Sequence, residues 1–176
     1  MHLSERMRCI LIDWIVEAHK KFRLLPETLF MTVNIIDRYL DLATCTREKF
    51  QLVGITALFI SAKYEEIYPP PLKDFSEMTQ KTYSKADILQ MEGNIVCALK
   101  FNLTVPSSLR FLERYSRVER LDKKSFDMSQ YLLELALIEY KFVKVPESLK
   151  ACAAIYLTNK LLKKNICWSE VVAAHS

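Results

Sequence analysis

The most apolar segment of the chain runs from Phe50 to Glu66, with the sequence FQLVGITALFISAKYEE. From Leu52 to Ala62 no side of a helical wheel carries a charge, and small residues interrupt the bulky ones. A helix that is apolar on all sides is buried on all sides. The run is also shorter than the roughly 20 apolar residues that cross a bilayer. The pattern therefore predicts a central helix surrounded by other helices in a bundle.

Hydrophobic periodicity predicts further helices on both sides of this central helix. Pro26 suits the first turn of the second helix, Thr46 is placed to cap the central helix, and Ser84 to Asp87 resembles a capping box. A short extended connector is predicted from Phe101 to Pro106. With 51% hydrophobic residues and only two glycines, the chain is expected to be all-α. The predicted flanking helices are Ser4 to Phe22, Glu27 to Leu42, Leu72 to Met78, Ser84 to Leu99, Ser107 to Val118, Lys123 to Tyr140, Pro146 to Lys164 and one that begins near Ser169.

The central helix has a second copy later in the chain. A shift of 97 positions aligns residues of similar size, so we expect a duplicated helical domain. We predict an N-terminal repeat at residues 1–102 and an incomplete C-terminal repeat at residues 103–176. The aligned pairs are Leu52 with Leu149, Gly54 with Ala151, Ala57 with Ala154, Leu58 with Ile155, Phe59 with Tyr156, Ile60 with Leu157 and Lys63 with Lys160.

Four charged residues interrupt apolar helix faces. Arg8 falls inside the broad apolar face of the first helix, and Asp37 lies at the edge of the apolar face of the second. An unpaired buried charge costs several kcal/mol, so we predict that these two residues form an ion pair. Lys63 ends the central helix and Glu92 falls among apolar residues of the fifth. On pattern alone they either form a second internal ion pair or reach the backbone of a partner across an apolar surface.

The first helix carries a second apolar flank. Met7, Ile10, Leu11 and Trp14 share one ridge, and Glu17 lies one turn beyond Trp14. If the ridge is part of the core, the helix is simply packed on both sides. If it is exposed, a tryptophan-floored apolar groove with a carboxylate at its rim would suit a peptide that carries a leucine and a basic residue.

Composition argues against several functional classes. The 25 basic and 21 acidic residues are interspersed, so no nucleic-acid tail or membrane anchor is indicated. The three histidines are far apart, and neither a glycine-rich phosphate loop nor a nucleophile motif is present, so neither an enzyme nor a cofactor or metal site is predicted. Five scattered cysteines favour reduced thiols in an intracellular protein, and no leader or membrane span is recognised at the start. Because the chain opens inside one helical pattern and stops just after another begins, it is expected to be a fragment.

Five motifs together resemble the cyclin box. They are MRCILIDW at Met7 to Trp14, ETL at Glu27 to Leu29, DRYL at Asp37 to Leu40, AKYEE at Ala62 to Glu66 and YPP at Tyr68 to Pro70. The resemblance covers nearly the whole chain and is closest to the B-type mitotic cyclins. It implies two five-helix repeats, of which this chain would lack the family's N-terminal helix and the last part of the second repeat.

The resemblance also implies roles for individual residues. Arg8 and Asp37 would pair inside the first repeat. Lys63 and Glu92 would bond main-chain groups of the αC helix of a kinase, next to a pocket for an aliphatic side chain lined by Ile60, Tyr64, Val96 and Leu103. A second surface would dock substrates or inhibitors through Arg-x-Leu motifs, with Glu17 facing the basic residue, Trp14 and Leu11 the leucine, and Gln51 the peptide backbone. The residues of that surface are Met7, Ile10, Leu11, Trp14, Glu17, Arg47 and Gln51.

The function that this family implies is regulatory. The chain would bind and activate a cyclin-dependent protein kinase at G2/M and recruit its substrates, in the nucleus and cytoplasm and without a nucleic acid or a membrane. The alternative is a cyclin-fold helical adaptor of the transcription type, without a mitotic role, that contacts DNA. That alternative needs a basic face, which the even mixture of charges does not indicate.

Overall fold

The computed structural model describes residues 4–164, in which every regular element is helical. The all-α prediction is therefore confirmed for this part of the chain, and the helix expected near Ser169 lies outside it. The eight α-helices of the described residues are α1 (Glu5–Phe22), α2 (Pro26–Leu42), α3 (Arg47–Glu65), α4 (Leu72–Met78), α5 (Lys85–Ala98), α6 (Ser108–Glu119), α7 (Lys123–Ile138) and α8 (Glu147–Leu161), and a 3₁₀ turn covers Tyr140–Phe142.

The chain forms two compact units, Met1–Val105 and Pro106–Ser176. The first unit contains α1 to α5, which is the number of helices that the resemblance implies for one repeat. Within it α3 packs against each of the other four helices. In the described part of the second unit, α6, α7 and α8 pack against one another. The division predicted after Asn102 lies slightly before the one after Val105.

The burial of α3 from Leu52 to Ala62 organises the first unit. Every residue from Leu52 to Ala62 is buried, as the absence of charge predicted. Gly54 allows α1 to come close, since a Cβ atom at this position would lie 2.7 Å from Leu11 Cδ1. The small residue therefore determines how near α1 and α3 approach each other.

The helix starts follow the sequence signals in most places. Ser4 caps α1 by accepting a hydrogen bond from the Met7 amide, and Ser84 and Asp87 form the predicted capping box of α5. The expectation for Thr46 was only partly right, because it occupies the N-cap position of α3 but its side chain makes no capping hydrogen bond. The connector also differs from the prediction, since Phe101 opens it with a left-handed φ of 60° rather than an extended conformation.

The acidic end of α3 stabilises the start of another helix. Leu25 occupies the N-cap position of α2 and offers no capping side chain. Glu66 supplies the missing acceptor, because its Oε1 accepts hydrogen bonds from the Leu25 amide at 2.8 Å and from the Thr28 hydroxyl at 2.5 Å. A carboxylate in this place also complements the positive end of the helix dipole.

The second copy of the central helix is less covered than the first. Ala151, Ala154 and Ile155 of α8 are buried, like their counterparts Gly54, Ala57 and Leu58. Leu149, Tyr156 and Leu157 are exposed, although their counterparts Leu52, Phe59 and Ile60 are buried. The physical reason is that α4 and α5 cover α3, whereas α8 has only α6 and α7 against it in the described residues.

Glu66→Ala should lower the free energy of unfolding of the chain by about 1–2 kcal/mol, because α2 loses a charged acceptor for two hydrogen bonds. Urea unfolding followed by circular dichroism measures the change. Glu65→Ala is the matched control, since the neighbouring carboxylate accepts neither bond. Equal losses for the two variants would contradict the capping role.

Candidate functional site

The Arg8–Asp37 ion pair joins α1 to α2. Arg8 Nε lies 2.7 Å from Asp37 Oδ1, and its terminal nitrogen lies 2.8 Å from Oδ2, so the contact is bidentate. Arg8 is buried and Asp37 is mostly covered. The pairing agrees with the prediction from the two apolar faces. Because it lies between two packed helices, the pair has a structural role.

A second pair of charges lies at the surface, where α3 ends beside α5. Lys63 Nζ forms an ion pair with the Glu92 carboxylate, and it also lies 4.4 Å from the centre of the Phe59 ring. The side chain of Lys63 is 43% exposed and that of Glu92 is 19% exposed. The structure thus shows an intramolecular pair, the first of the two possibilities left open by the sequence pattern. Its exposure leaves the lysine ammonium accessible from outside.

The connector after α5 is tied to this same surface. Tyr64 is 53% exposed and shares a 2.5 Å hydrogen bond with the Thr104 hydroxyl, which places Leu103 next to the end of α3. The amide of Phe101 donates a hydrogen bond to the Val96 carbonyl at 2.9 Å, which joins the start of the connector to the end of α5. We call this surface the α3–α5 face; its residues are Lys63, Tyr64, Glu92, Val96 and Leu103.

Burial differs among the side chains at and around this face. Ile60 is only 3% exposed, so it supports the face from beneath rather than lining its surface. Leu89 and Phe101 were missed, although both are well exposed. The spacing of Leu89, Glu92 and Val96 places them on one side of α5, away from the buried Ile88, Met91 and Ile95, and this signal was available in the sequence.

The ridge of α1 is neither wholly core nor wholly surface. Leu11 is 5% exposed and packs toward Gly54, whereas Ile10 is 62% exposed and Met7 and Trp14 are half-buried. Glu17 is exposed at the C-terminal side of this apolar strip.

Residues of α3 that lie beside the ridge of α1 can be identified from the contact between Gly54 and Leu11. Arg47, which is exposed, and Gln51, which is half-buried, lie seven and three positions before Gly54 and thus on the same side of α3. We call the combined surface the α1–α3 face; its residues are Met7, Ile10, Leu11, Trp14, Glu17, Arg47 and Gln51. It is a shallow apolar strip with charged side chains at its ends.

No cluster of three histidine, cysteine or carboxylate side chains with metal-binding geometry occurs in residues 4–164. None of the helices in that range has the length and hydropathy needed to span a bilayer. In the second unit, hydrogen bonds from Lys164 and Ser125 lower the pKa of Asp122 to about 2, and Asp122 in turn caps α7.

Comparison with known proteins gives matches along the whole chain. The family model described as "Cyclin, N-terminal domain" matches residues 1–104, and that described as "Cyclin, C-terminal domain" matches residues 106–176. The chain is 45% identical over 174 residues to a G2/mitotic-specific cyclin-B of Marthasterias glacialis, covering 99% of this chain and 45% of that protein. It is 45% identical over 160 residues to the G2/mitotic-specific cyclin cdc13 of Schizosaccharomyces pombe, covering 91% and 33%. The chain spans less than half the length of these relatives.

Solved structures share the fold at lower identity. A viral cyclin from herpesvirus saimiri superimposes with a TM-score of 0.85 at 18% identity, covering 96% of this chain and 75% of the viral one. A chain of the yeast RNA polymerase II CTD kinase complex CTDK-1 gives a TM-score of 0.79 at 16% identity, covering 94% and 57%.

Removal of one partner of the Arg8–Asp37 pair should cost about 3–5 kcal/mol of unfolding free energy, because the other charge loses its bidentate contact in a mostly covered site. Arg8→Met and Asp37→Leu each remove one charge, and the double variant removes both. We expect the double variant to lose less stability than the sum of the two single losses in urea unfolding. Strictly additive losses would show that the two residues are not coupled.

Proposed function

The chain belongs to the cyclin family, and from this membership we propose that it is a regulatory subunit that binds and activates a cyclin-dependent protein kinase in G2 and mitosis. It performs no chemistry itself, and it acts in the nucleus and cytoplasm. The support for a mitotic role is the 45% identity to two G2/mitotic-specific cyclins from distant organisms. The support for a kinase contact is the α3–α5 face, where an accessible ion pair adjoins exposed aromatic and aliphatic side chains.

Lys63 and Glu92 are suited to hold the end of a partner helix. The ends of an α-helix leave amide and carbonyl groups without helical partners. A lysine ammonium offers three donors and a carboxylate only acceptors, so together they can satisfy both kinds of backbone group. In the free chain the two side chains neutralise each other, which keeps this partly covered surface free of unpaired charge.

The apolar part of the α3–α5 face supplies the contact area. Three side chains are roughly half exposed or more: Tyr64, Leu89 and Phe101. Two others, Val96 of α5 and Leu103 of the connector, are half-buried. An apolar side chain from the αC helix of the kinase would dock among these residues. Ile60 closes the bottom of that contact from within α3.

Activation follows from unequal affinity for two states of the kinase. A surface that binds the inward position of the αC helix more tightly than the outward one shifts the kinase toward the active state. In that state the kinase's own lysine and αC glutamate pair and its phosphoryl-transfer site is complete. All of the catalysis would therefore take place in the kinase.

The α1–α3 face is the proposed site for substrates and inhibitors with Arg-x-Leu motifs. The leucine would pack on Trp14 above Leu11, the basic residue would meet the exposed Glu17 carboxylate, and the Gln51 amide would bond the peptide backbone. Arg47 closes the other end of the face. Because this face and the α3–α5 face use opposite ends of α3, a kinase and a docked substrate would bind together.

The transcription-type adaptor has less support. The CTDK-1 likeness shows the fold alone at 16% identity, whereas the mitotic relatives are aligned over nearly the whole chain at 45%.

Lys63→Ala combined with Glu92→Ala should reduce stimulation of histone kinase activity by tenfold or more, because each charged hydrogen bond to a partner contributes about 1.5–3 kcal/mol. The matched control is Lys73→Ala with Glu77→Ala, which removes an exposed ion pair of α4. Circular dichroism establishes that helicity is kept. Full stimulation by the Lys63/Glu92 variant would rule out the proposed kinase contact.

Ile10→Ala and Trp14→Ala should weaken phosphorylation only of substrates that contain a docking motif, by about tenfold in kcat/KM for Trp14. Ile10 is largely exposed, so its variant tests the face without disturbing the core. Leu42→Ala removes an equally exposed side chain at the end of α2 and serves as the control. If motif-containing substrates were phosphorylated at the wild-type rate by both variants, the docking proposal would be wrong.

A further inference from the structure

We propose that Lys21 extends the α1–α3 face and selects docking segments that carry an acidic side chain two positions before the basic residue. The preferred segment is then acidic-x-Arg-x-Leu. This inference rests on the docking role proposed above and adds to it a specificity-determining residue on the same helix.

The first observation is a continuous row of side chains along α1. Met7, Ile10, Trp14, Glu17 and Lys21 follow one another in steps of three and four residues, the spacing that places helical side chains on one side. The row begins with apolar groups, passes a carboxylate and ends with an ammonium. Whatever extended segment lies along the apolar part and reaches Glu17 will next approach Lys21.

The second observation is that both charges of this row are available. Glu17 and Lys21 are exposed, and within residues 4–164 the structure shows neither of them in an ion pair. Their i, i+4 spacing would allow a direct contact, yet no ion pair joins them in the described residues. An incoming peptide therefore meets two separate charges of opposite sign.

The third observation compares the spacing of the row along α1 with the spacing of side chains in an extended peptide. A helix rises 1.5 Å per residue, so Trp14 and Glu17 are about 4.5 Å apart along the axis and Glu17 and Lys21 about 6 Å apart. In an extended peptide, alternate side chains share one face at a spacing of about 6.6–6.8 Å. The steps of the row are about 0.6–2.3 Å shorter than this repeat, a difference within the reach of the long glutamate and lysine side chains, so alternate peptide positions reach successive members of the row. With leucine at Trp14 and the basic residue at Glu17, the next alternate position toward the peptide N-terminus faces Lys21.

If Lys21 had only a structural role, Lys20 and Lys21 should have the same effect on peptide binding. Lys20 and Lys21 both lie in the last turn of α1, where a cation complements the helix dipole. Lys20 is also exposed, but it is turned about 100° from Lys21 and away from the row. Dipole complementation and overall charge would therefore make the two lysines equivalent, whereas a peptide contact distinguishes them.

The test measures binding of fluorescent peptides to the chain in complex with its kinase. Three peptides share one Arg-x-Leu motif and differ only two positions before the arginine, where they carry glutamate, alanine or lysine. We expect the glutamate peptide to bind about threefold more tightly than the alanine peptide and the lysine peptide about threefold more weakly, the range of exposed ion pairs. The preference should shrink as salt is raised, because exposed charges are screened.

Two charge reversals complete the experiment. Lys21→Glu should invert the order of the three peptides, and Lys20→Glu should leave the order unchanged. An unchanged order in the Lys21→Glu variant, or the same effect from both variants, would overturn the role of Lys21. Trp14→Ala tests the underlying docking site separately: binding of the alanine peptide that does not depend on Trp14 would refute the docking proposal itself, whereas Trp14-dependent binding without an acidic preference would refute only the selection by Lys21.

Discussion

The first unit depends on the burial of α3 from Leu52 to Ala62. Because this run offers no polar side, four helices must surround it, and α1, α2, α4 and α5 do so. Only the two ends of α3 reach the surface. Gln51 and Lys63 are twelve residues apart, about 18 Å at the helical rise. The same burial that stabilises the unit therefore keeps the two proposed partner surfaces apart.

Three charge contacts that join different helices of this unit differ in exposure, and the difference separates their roles. The Arg8–Asp37 contact is bidentate, and its arginine is buried between α1 and α2, as expected for a structural pair. The Glu66 carboxylate acts on the start of α2 from the far end of α3. Of these three contacts, the Lys63–Glu92 pair has the most exposed cation, and it adjoins exposed apolar side chains.

Much of this arrangement follows from sequence, because it depends on local periodicity. The helices, the burial of α3 and the capping box of α5 each reflect residues fewer than twenty positions apart. The Arg8–Asp37 pair was predictable since each charge interrupts an apolar face. The role of Glu66 was not, because its partners Leu25 and Thr28 are about forty residues away and no spacing rule connects them.

The exposure of individual side chains could not be predicted from the sequence either, because it depends on which helices are neighbours in the fold. Ile10 and Leu11 are adjacent apolar residues of α1, yet only Leu11 is turned into the contact with α3. Tyr156 and Leu157 match buried residues of the first copy but are exposed in the described part of the second.

Gly54 shows that helix stability and surface shape are in conflict at one position. As a residue in the middle of a helix, glycine is less favourable than alanine by about 1 kcal/mol. An added methyl group would favour the helix locally, but it would meet Leu11 and press α1 outward beneath Ile10 and Trp14. The second copy has this methyl group in Ala151. After a duplication, then, a single carbon atom is enough for one copy to gain a more stable helix while the other keeps the close helix contact on which a binding surface is built.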